Sequence, residues 1–403
     1  MKKLLLLCCV LSVFCVSAKE KVNRINPWPV EELINTTPGY TMSEAKDGVK
    51  TVIYESIDYR GAKKKVFAYY STPGILKGDA SLDKNLPAVV CVHGGGGRAF
   101  AEWAKMWAER GYAAVAMDHF GCGPKRKVRL EGGYEQLTGV TYLHVVEDQK
   151  EDWFYNAVPD VLSAHSFILS LDEVDKTRTA ITGISWGGIL TTLISGLDPR
   201  YKAAVPVYGC GFLYETGSME PQIKKDGELA VYRWTNMYDP ALYVVDSKIP
   251  MLFVNGTNDK HFYLNQWEKT VKLAKNARRS VRHEFNHGHK NGWAVEEIYA
   301  FVDATLGVKE RLAPPSFKSF KMKKNTLSGS LKDATEGYKA YLVYSKAAKI
   351  SHVAKWEKTA IEIQGDKFSV EIPEDYNQWY VSVEYPDATH YSSELNFRNG
   401  YGL

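Results

Sequence analysis

The chain has 403 residues, 45% of them hydrophobic and 24% charged, and carries a formal charge of +4. These proportions belong to an ordinary globular protein with room for one large domain and a small one. So slight a charge gives no reason to expect nucleic acid or an acidic polymer as a partner. Three of the six cysteines lie within the first eighteen residues, leaving Cys91, Cys122 and Cys210. At most one internal disulfide can then form, which rules out a disulfide-built scaffold.

Residues 1–18 read as a signal peptide. Lys2 and Lys3 are its positive start, Leu4 to Val16 its short apolar run, and Val16-Ser17-Ala18 its small-residue cleavage signature. The run is short for a bilayer span. Its removal lowers the formal charge to +2. The expectation is an exported protein, periplasmic or secreted, with no membrane span after cleavage.

Strand and helix patterns then alternate. Lys65 to Thr72 reads as a strand. Leu86 to His93 is a continuous apolar run that breaks into four glycines, as a strand buried on both faces would. A helical stretch from Ala99 to Glu109 stops at Gly111, and Ala113 to Asp118 is the next buried strand. Asp152 to Leu171 is long and amphipathic, with Pro159 in its first turns. Strands follow at Thr179–Ile184, Ala203–Val207, Pro250–Asn255 and Ser280–Phe285, with helices at Gly188–Leu197, Leu264–Lys275 and Ala294–Leu306. Such alternation predicts an α/β fold with a mostly parallel sheet and helices on both faces.

Two segments interrupt the alternation. Lys125 to Glu147 reads as a long excursion with a basic, solvated loop. Phe212 to Val245, rich in tyrosine, reads as a lid or a packed cap over the sheet's end. Pro314-Pro315 marks a linker. Beyond it the period turns to two, with strands at Tyr341–Tyr344, Thr359–Ile363, Lys367–Ile372, Trp379–Tyr385 and Ser392–Phe397. The predicted organisation is a leader (1–18), an α/β domain (19–312) and a small C-terminal all-β sandwich (316–403). Trp356, Trp379 and Tyr380 serve either packing or a sugar platform.

Gly183-Ile184-Ser185-Trp186-Gly187 carries the chemistry. It is G-x-S-x-G set directly after a strand and before a helix, the tight turn that thrusts a serine from a sheet's end. A hydroxyl needs a base to take its proton, and the base needs a carboxylate to hold it. In chain order these follow as acid, then histidine. Asp259 lies just past the Pro250–Asn255 strand, whereas Asp239 and Asp246 precede it. The next strand leads into Asn286-His287-Gly288-His289. His289, further into the loop and after a glycine, is preferred to His287 as the base. His261 would need an unusual loop to reach Ser185. Backbone N–H groups for an oxyanion are expected from Trp186 and from the Gly94–Gly97 run, with Gly95 first and Gly96 second. No G-K-S/T follows the glycines, so they do not read as a phosphate cradle. His283, His287 and His289 lack H-E-x-x-H or a cysteine pair, and neither metal nor cofactor is expected. Cys122 and Cys210 are either a disulfide or two free thiols.

These pieces resemble the acetylxylan esterase and cephalosporin-C deacetylase-like branch of the α/β-hydrolase superfamily, and are similar to its dienelactone-hydrolase and prolyl-oligopeptidase groups. The matching stretches are VCVHGGGG, GYAAVAMDHFGCG, Val174-Asp175 through GISWGG, LFVNGTND and NHGHKNGW, from about Lys50 to Gly307. The resemblance implies an exported serine esterase with Ser185, Asp259 and His289 as triad. It implies Gly95 and Trp186 as the oxyanion pair, and an acetylated carbohydrate or other small ester as substrate. Gly95-Gly96, where a bulkier residue commonly follows His-Gly, and the C-terminal sandwich depart from that branch. A serine peptidase of prolyl-oligopeptidase type and a non-catalytic carbohydrate-binding protein are the alternatives.

Overall fold

The computed structural model describes residues 24–125, 128–135, 142–215, 217–309, 314–334, 336–398 and 400. The leader predicted at 1–18 and part of the Lys125–Glu147 excursion lie outside them. Two strands precede the first one predicted, β1 (Tyr40–Met42) and β2 (Lys50–Tyr59). The strand predicted at Lys65–Thr72 is β3 (Ala62–Ser71), and the three pair in antiparallel order. β3 then pairs antiparallel with β5 (Ala113–Met117), which is parallel to β4 (Leu86–Val92). Every residue of these two is buried, which is why their sequences show no alternation. β6 (Val174–Ile184), β7 (Ala203–Val207), β8 (Met251–Gly256) and β9 (Ala277–Arg282) continue the parallel run. The resulting strand order is β1-β2-β3-β5-β4-β6-β7-β8-β9.

Helices Trp153–Leu169 and Trp186–Leu197 pack together over the sheet. Ala101–Ala108 and Glu296–Leu306 meet through Trp107 and Tyr299, whose rings are 4.7 Å apart. Pro159 sits well inside its helix and has no N–H to give the carbonyl of Tyr155, four residues back. The indole N–H of Trp28 donates to that carbonyl at 3.0 Å, so the proline is tolerated.

β9 begins and ends three residues earlier than its sequence pattern predicts. Arginines hide it. Arg279 is held by the buried carboxylate of Glu268 at 2.8 Å, and Arg282 by that of Glu297 at 3.1 Å. Paired in this way, cations sit in a strand that hydropathy alone would end or shift.

The Phe212–Val245 excursion is a packed cap. It contains helices Glu220–Lys225 and Glu228–Arg233, a π-helical turn Trp234–Tyr238 and a short helix Ala241–Val244. Trp234, Tyr238 and Tyr243 are fully buried. Asp152 ties the cap down, accepting from Arg233 and from the Tyr238 hydroxyl, each at 2.6 Å.

The C-terminal strands form a sandwich whose one sheet is continuous with the central sheet. β10 (Ser316–Lys323), β11 (Thr326–Lys332) and β14 (Lys367–Glu371) make a three-stranded sheet in the order β10-β11-β14. β12 (Lys339–Ser345), β13 (Glu357–Ala360), β15 (Gln378–Glu384) and β16 (His390–Ser392) extend the main sheet past β9. At the seam Ser392 pairs with Arg279, and the Val281 N–H donates to Ser392 Oγ at 3.1 Å. Leu327, Leu342, Phe368 and Trp379 fill the sandwich, while Trp356, Tyr380 and Tyr391 join the main core. Trp356, Trp379 and Tyr380 are therefore packing residues. Among the described residues no helix is long and apolar enough to cross a membrane.

Candidate active site

Parallel strands end on one edge of the sheet, and the loops there converge. β6 ends at Ile184, and Ser185 follows at φ 60°, ψ −115°, a left-handed conformation that costs a non-glycine residue energy. The turn is held by its neighbours. Ser185 N–H donates to Val207 O at 2.8 Å. A Cβ at Gly187 would lie 1.9 Å from Val92 O, so only glycine fits there. The helix that starts at Trp186 aims its first N–H groups and the positive end of its dipole at the same space.

Asp259 is buried in the loop after β8. Its Oδ1 accepts the N–H groups of His261 and Phe262 at 2.7 and 2.8 Å. Its Oδ2 faces His287 Nδ1 at 2.7 Å. The acid's partner is thus His287 and not His289, a correction of the sequence reading. The cause is the position of β9: because the strand ends at Arg282, His287 lies five residues into the loop, after a turn at Glu284 (φ 52°). His287 lies over Tyr208, its ring centroid 4.4 Å away, and Tyr208 directly follows the Val207 carbonyl that anchors Ser185. His261 meets the His287 ring edge-on at 4.8 Å. Burial, and then the neighbouring His287, push the His261 imidazole below its usual range.

His289 opens the short helix His289–Trp293. Its Nε2 accepts the Gly94 N–H at 2.9 Å, and its ring packs on Phe100 at 4.9 Å. A Cβ on Gly94 would stand 3.0 Å from Ser185 Cβ and 3.1 Å from this Nε2, so His289 also borders the serine. Ser185 Oγ is hydrogen-bonded to neither imidazole.

The glycine loop after β4 is already largely committed. Gly94 N–H goes to His289, Gly96 N–H to the Tyr142 hydroxyl at 2.7 Å, and Gly97 N–H to Gly94 O at 3.0 Å. Among the described residues nothing accepts from the N–H of Gly95 or of Trp186. A Cβ on Gly95 would meet Trp186 Cδ1 at 2.8 Å, which places the two side by side. Tyr142 stacks on Trp186, with centroids 4.8 Å apart and planes at 8°. Phe120 and Trp153 complete that wall. Beneath the loop, His93 bridges Gly94 O and Asp118 Oδ1, at 2.8 and 3.2 Å.

The rival residues are occupied elsewhere. Asp239 accepts three backbone N–H groups, those of Phe212, Leu213 and Ala241, and Asp246 pairs with Arg24. Cys91, Cys122 and Cys210 are all buried thiols, with no disulfide among them.

Comparison with known proteins agrees with this architecture. A model of the acetyl xylan esterase (AXE1) family matches residues 28–216, and one of the prolyl oligopeptidase family matches 132–309. The acetyl xylan esterase from Paenibacillus sp. R4 superposes with a TM-score of 0.54 at 22% identity, over 68% of this chain and 92% of that one. Acetyl xylan esterase 1 from Thermoanaerobacterium sp. JW/SL YS485 gives 0.52 at 18% identity, over 72% and 96%. Each model matches less than half of the chain, and the solved relatives show that it has the α/β-hydrolase fold. The two solved relatives share the fold over most of their own length. A curated relative, the uncharacterized peptidase YuxL of Bacillus subtilis (strain 168), is 24% identical over 214 residues. That match spans 49% of this chain but only 29% of YuxL.

Proposed function

We propose that the protein is an exported serine esterase that removes acetyl groups from carbohydrate through Ser185, His287 and Asp259. The observation that carries this is the Asp259–His287 pair, at 2.7 Å, opening on the same edge as the strained Ser185 turn and two unclaimed N–H groups. His287, with Nδ1 tied to Asp259, keeps its lone pair on Nε2. That nitrogen takes the Ser185 proton as Oγ bonds to the ester carbonyl carbon, a contact that substrate binding completes. The carbonyl oxygen, now negative, is met by Gly95 and Trp186 N–H. The bond to the leaving alkoxide then breaks, and the His287 cation returns a proton to it. Water, deprotonated by the same imidazole, splits the acyl-enzyme and frees the acid and the serine. The wall of Phe120, Tyr142, Trp153 and Trp186 favours a small acyl group. Export rests on the pattern of residues 1–18.

Burst kinetics with 4-nitrophenyl acetate test the chemistry. Turnover and fluorophosphonate labelling should vanish in Ser185→Ala, while Asp259→Asn should retain a residue of activity. Unaltered turnover in the serine variant sinks the reading. Wild-type protein that resists the label would instead be a binding protein on a hydrolase fold. The prolyl oligopeptidase match over 132–309 favours a peptidase as second reading. Faster cleavage of a prolyl amide than of an acetyl ester would select it.

A further inference from the structure

The C-terminal sandwich does more than extend the sheet: the loop between β12 and β13 reaches the loops that follow β8 and β9. It is anchored there, since His283 Nε2 bonds the Trp356 carbonyl at 3.2 Å and the Trp356 side chain lies in the main core. The loop tip carries two exposed side chains, His352 and Val353, the latter 77% accessible. The His352 ring lies stacked over Tyr263, with centroids 6.1 Å apart and planes at 28°. Tyr263 follows directly on the turn that holds Asp259, and His261 in that turn touches His287. Two aromatic contacts, His287–His261 and Tyr263–His352, thus flank the Asp259 turn, and the second reaches the C-terminal domain.

We infer that Tyr263, His352 and Val353 form a subsite for the sugar ring that bears the ester, on the leaving-group side. A partly exposed phenol and imidazole offer flat apolar faces for a ring's C–H surface, with polar edges for its hydroxyls. An isolated Val353 would need no explanation, but next to His352 it extends the exposed face. With the acyl group assigned to the Phe120, Tyr142, Trp153 and Trp186 wall, selection of the sugar falls to a residue pair shared between the Asp259 loop and the C-terminal domain. The inference rests on the esterase reading above.

The test uses the full chain with His352→Ala and Val353→Ser, both exposed substitutions that do not threaten the fold. The expected result is an about fivefold fall in kcat/KM on acetylated xylo-oligosaccharide relative to that on 4-nitrophenyl acetate. In the Ser185→Ala background, calorimetric affinity for the same oligosaccharide should weaken by a similar factor. A ratio and an affinity that do not move overturn the subsite while leaving the esterase reading intact. Wild-type protein inert toward both esters overturns that reading, and the subsite with it.

Discussion

Two histidines separated by one glycine have been given different work by their backbones. His287 hangs in a loop where a buried carboxylate orients it, while His289 starts a helix and braces the glycine loop through Gly94. His287→Ala should lower kcat/KM by about 10³-fold or more, the loss expected for a general base. His289→Ala, which only loosens the glycine loop, should cost about 10- to 100-fold. Steady-state kinetics of the two variants decide this, and the reverse ranking would return the base to His289. A third histidine bears on stability. His119 is buried, its Nε2 donates to His93 O at 2.7 Å, and its Nδ1 has no partner. Burial, and then neighbouring His93, hold it down to about 3. An unfolded histidine titrates near about 6.5. Below that pH the unfolded chain binds the extra proton and the folded one refuses it, so stability falls as pH drops from about 6.5 toward 3. Thermal melts of His119→Gln across this window should show a flatter acid limb. An unaltered slope would mean that the imidazole does not contribute.

Elements hold together through compensations that a local pattern does not reveal. The helix Trp153–Leu169 survives Pro159 because Trp28 caps the orphaned Tyr155 carbonyl. Trp28→Phe should cost about 1–3 kcal/mol for that carbonyl, beyond any packing loss. In a Pro159→Ala background the backbone N–H is restored, so the same substitution should cost about 1 kcal/mol less. Denaturant unfolding of the four proteins closes the cycle, and strictly additive costs would remove the capping role. β9 depends on a comparable arrangement. Glu268 and Glu297 neutralise the arginines that made its sequence look unlike a strand, and the histidine loop starts where that strand stops.

One sheet runs through both architectures of the molecule. Because β16 pairs with β9, the sandwich covers what would otherwise be an open edge, and Trp356, Tyr380 and Tyr391 belong to the hydrolase core. A chain ending before Ser316 would expose that edge and those contacts. It should melt well below the full chain and aggregate, and the full chain should unfold in a single calorimetric transition. Two separated transitions, or a truncated protein of unaltered melting temperature, would show the sandwich to be an independent appendage.

Local chemistry made much of this molecule legible before any coordinates. Buried parallel strands advertise themselves as unbroken apolar runs. A serine between glycines at a strand–helix junction can be recognised because backbone geometry demands those residues. Asp259 could be found by its distance from the end of β8. The partner of Asp259 could not, since His287 and His289 differ by two residues and the choice turns on where β9 ends. That end is set by ion pairs to Glu268 and Glu297, which lie eleven and fifteen residues from their arginines and on separate helices. Nor could sequence show that the C-terminal strands join the central sheet, or that a sandwich loop reaches Tyr263. Pairing between strands more than a hundred residues apart leaves no local periodicity, so packing alone decided it.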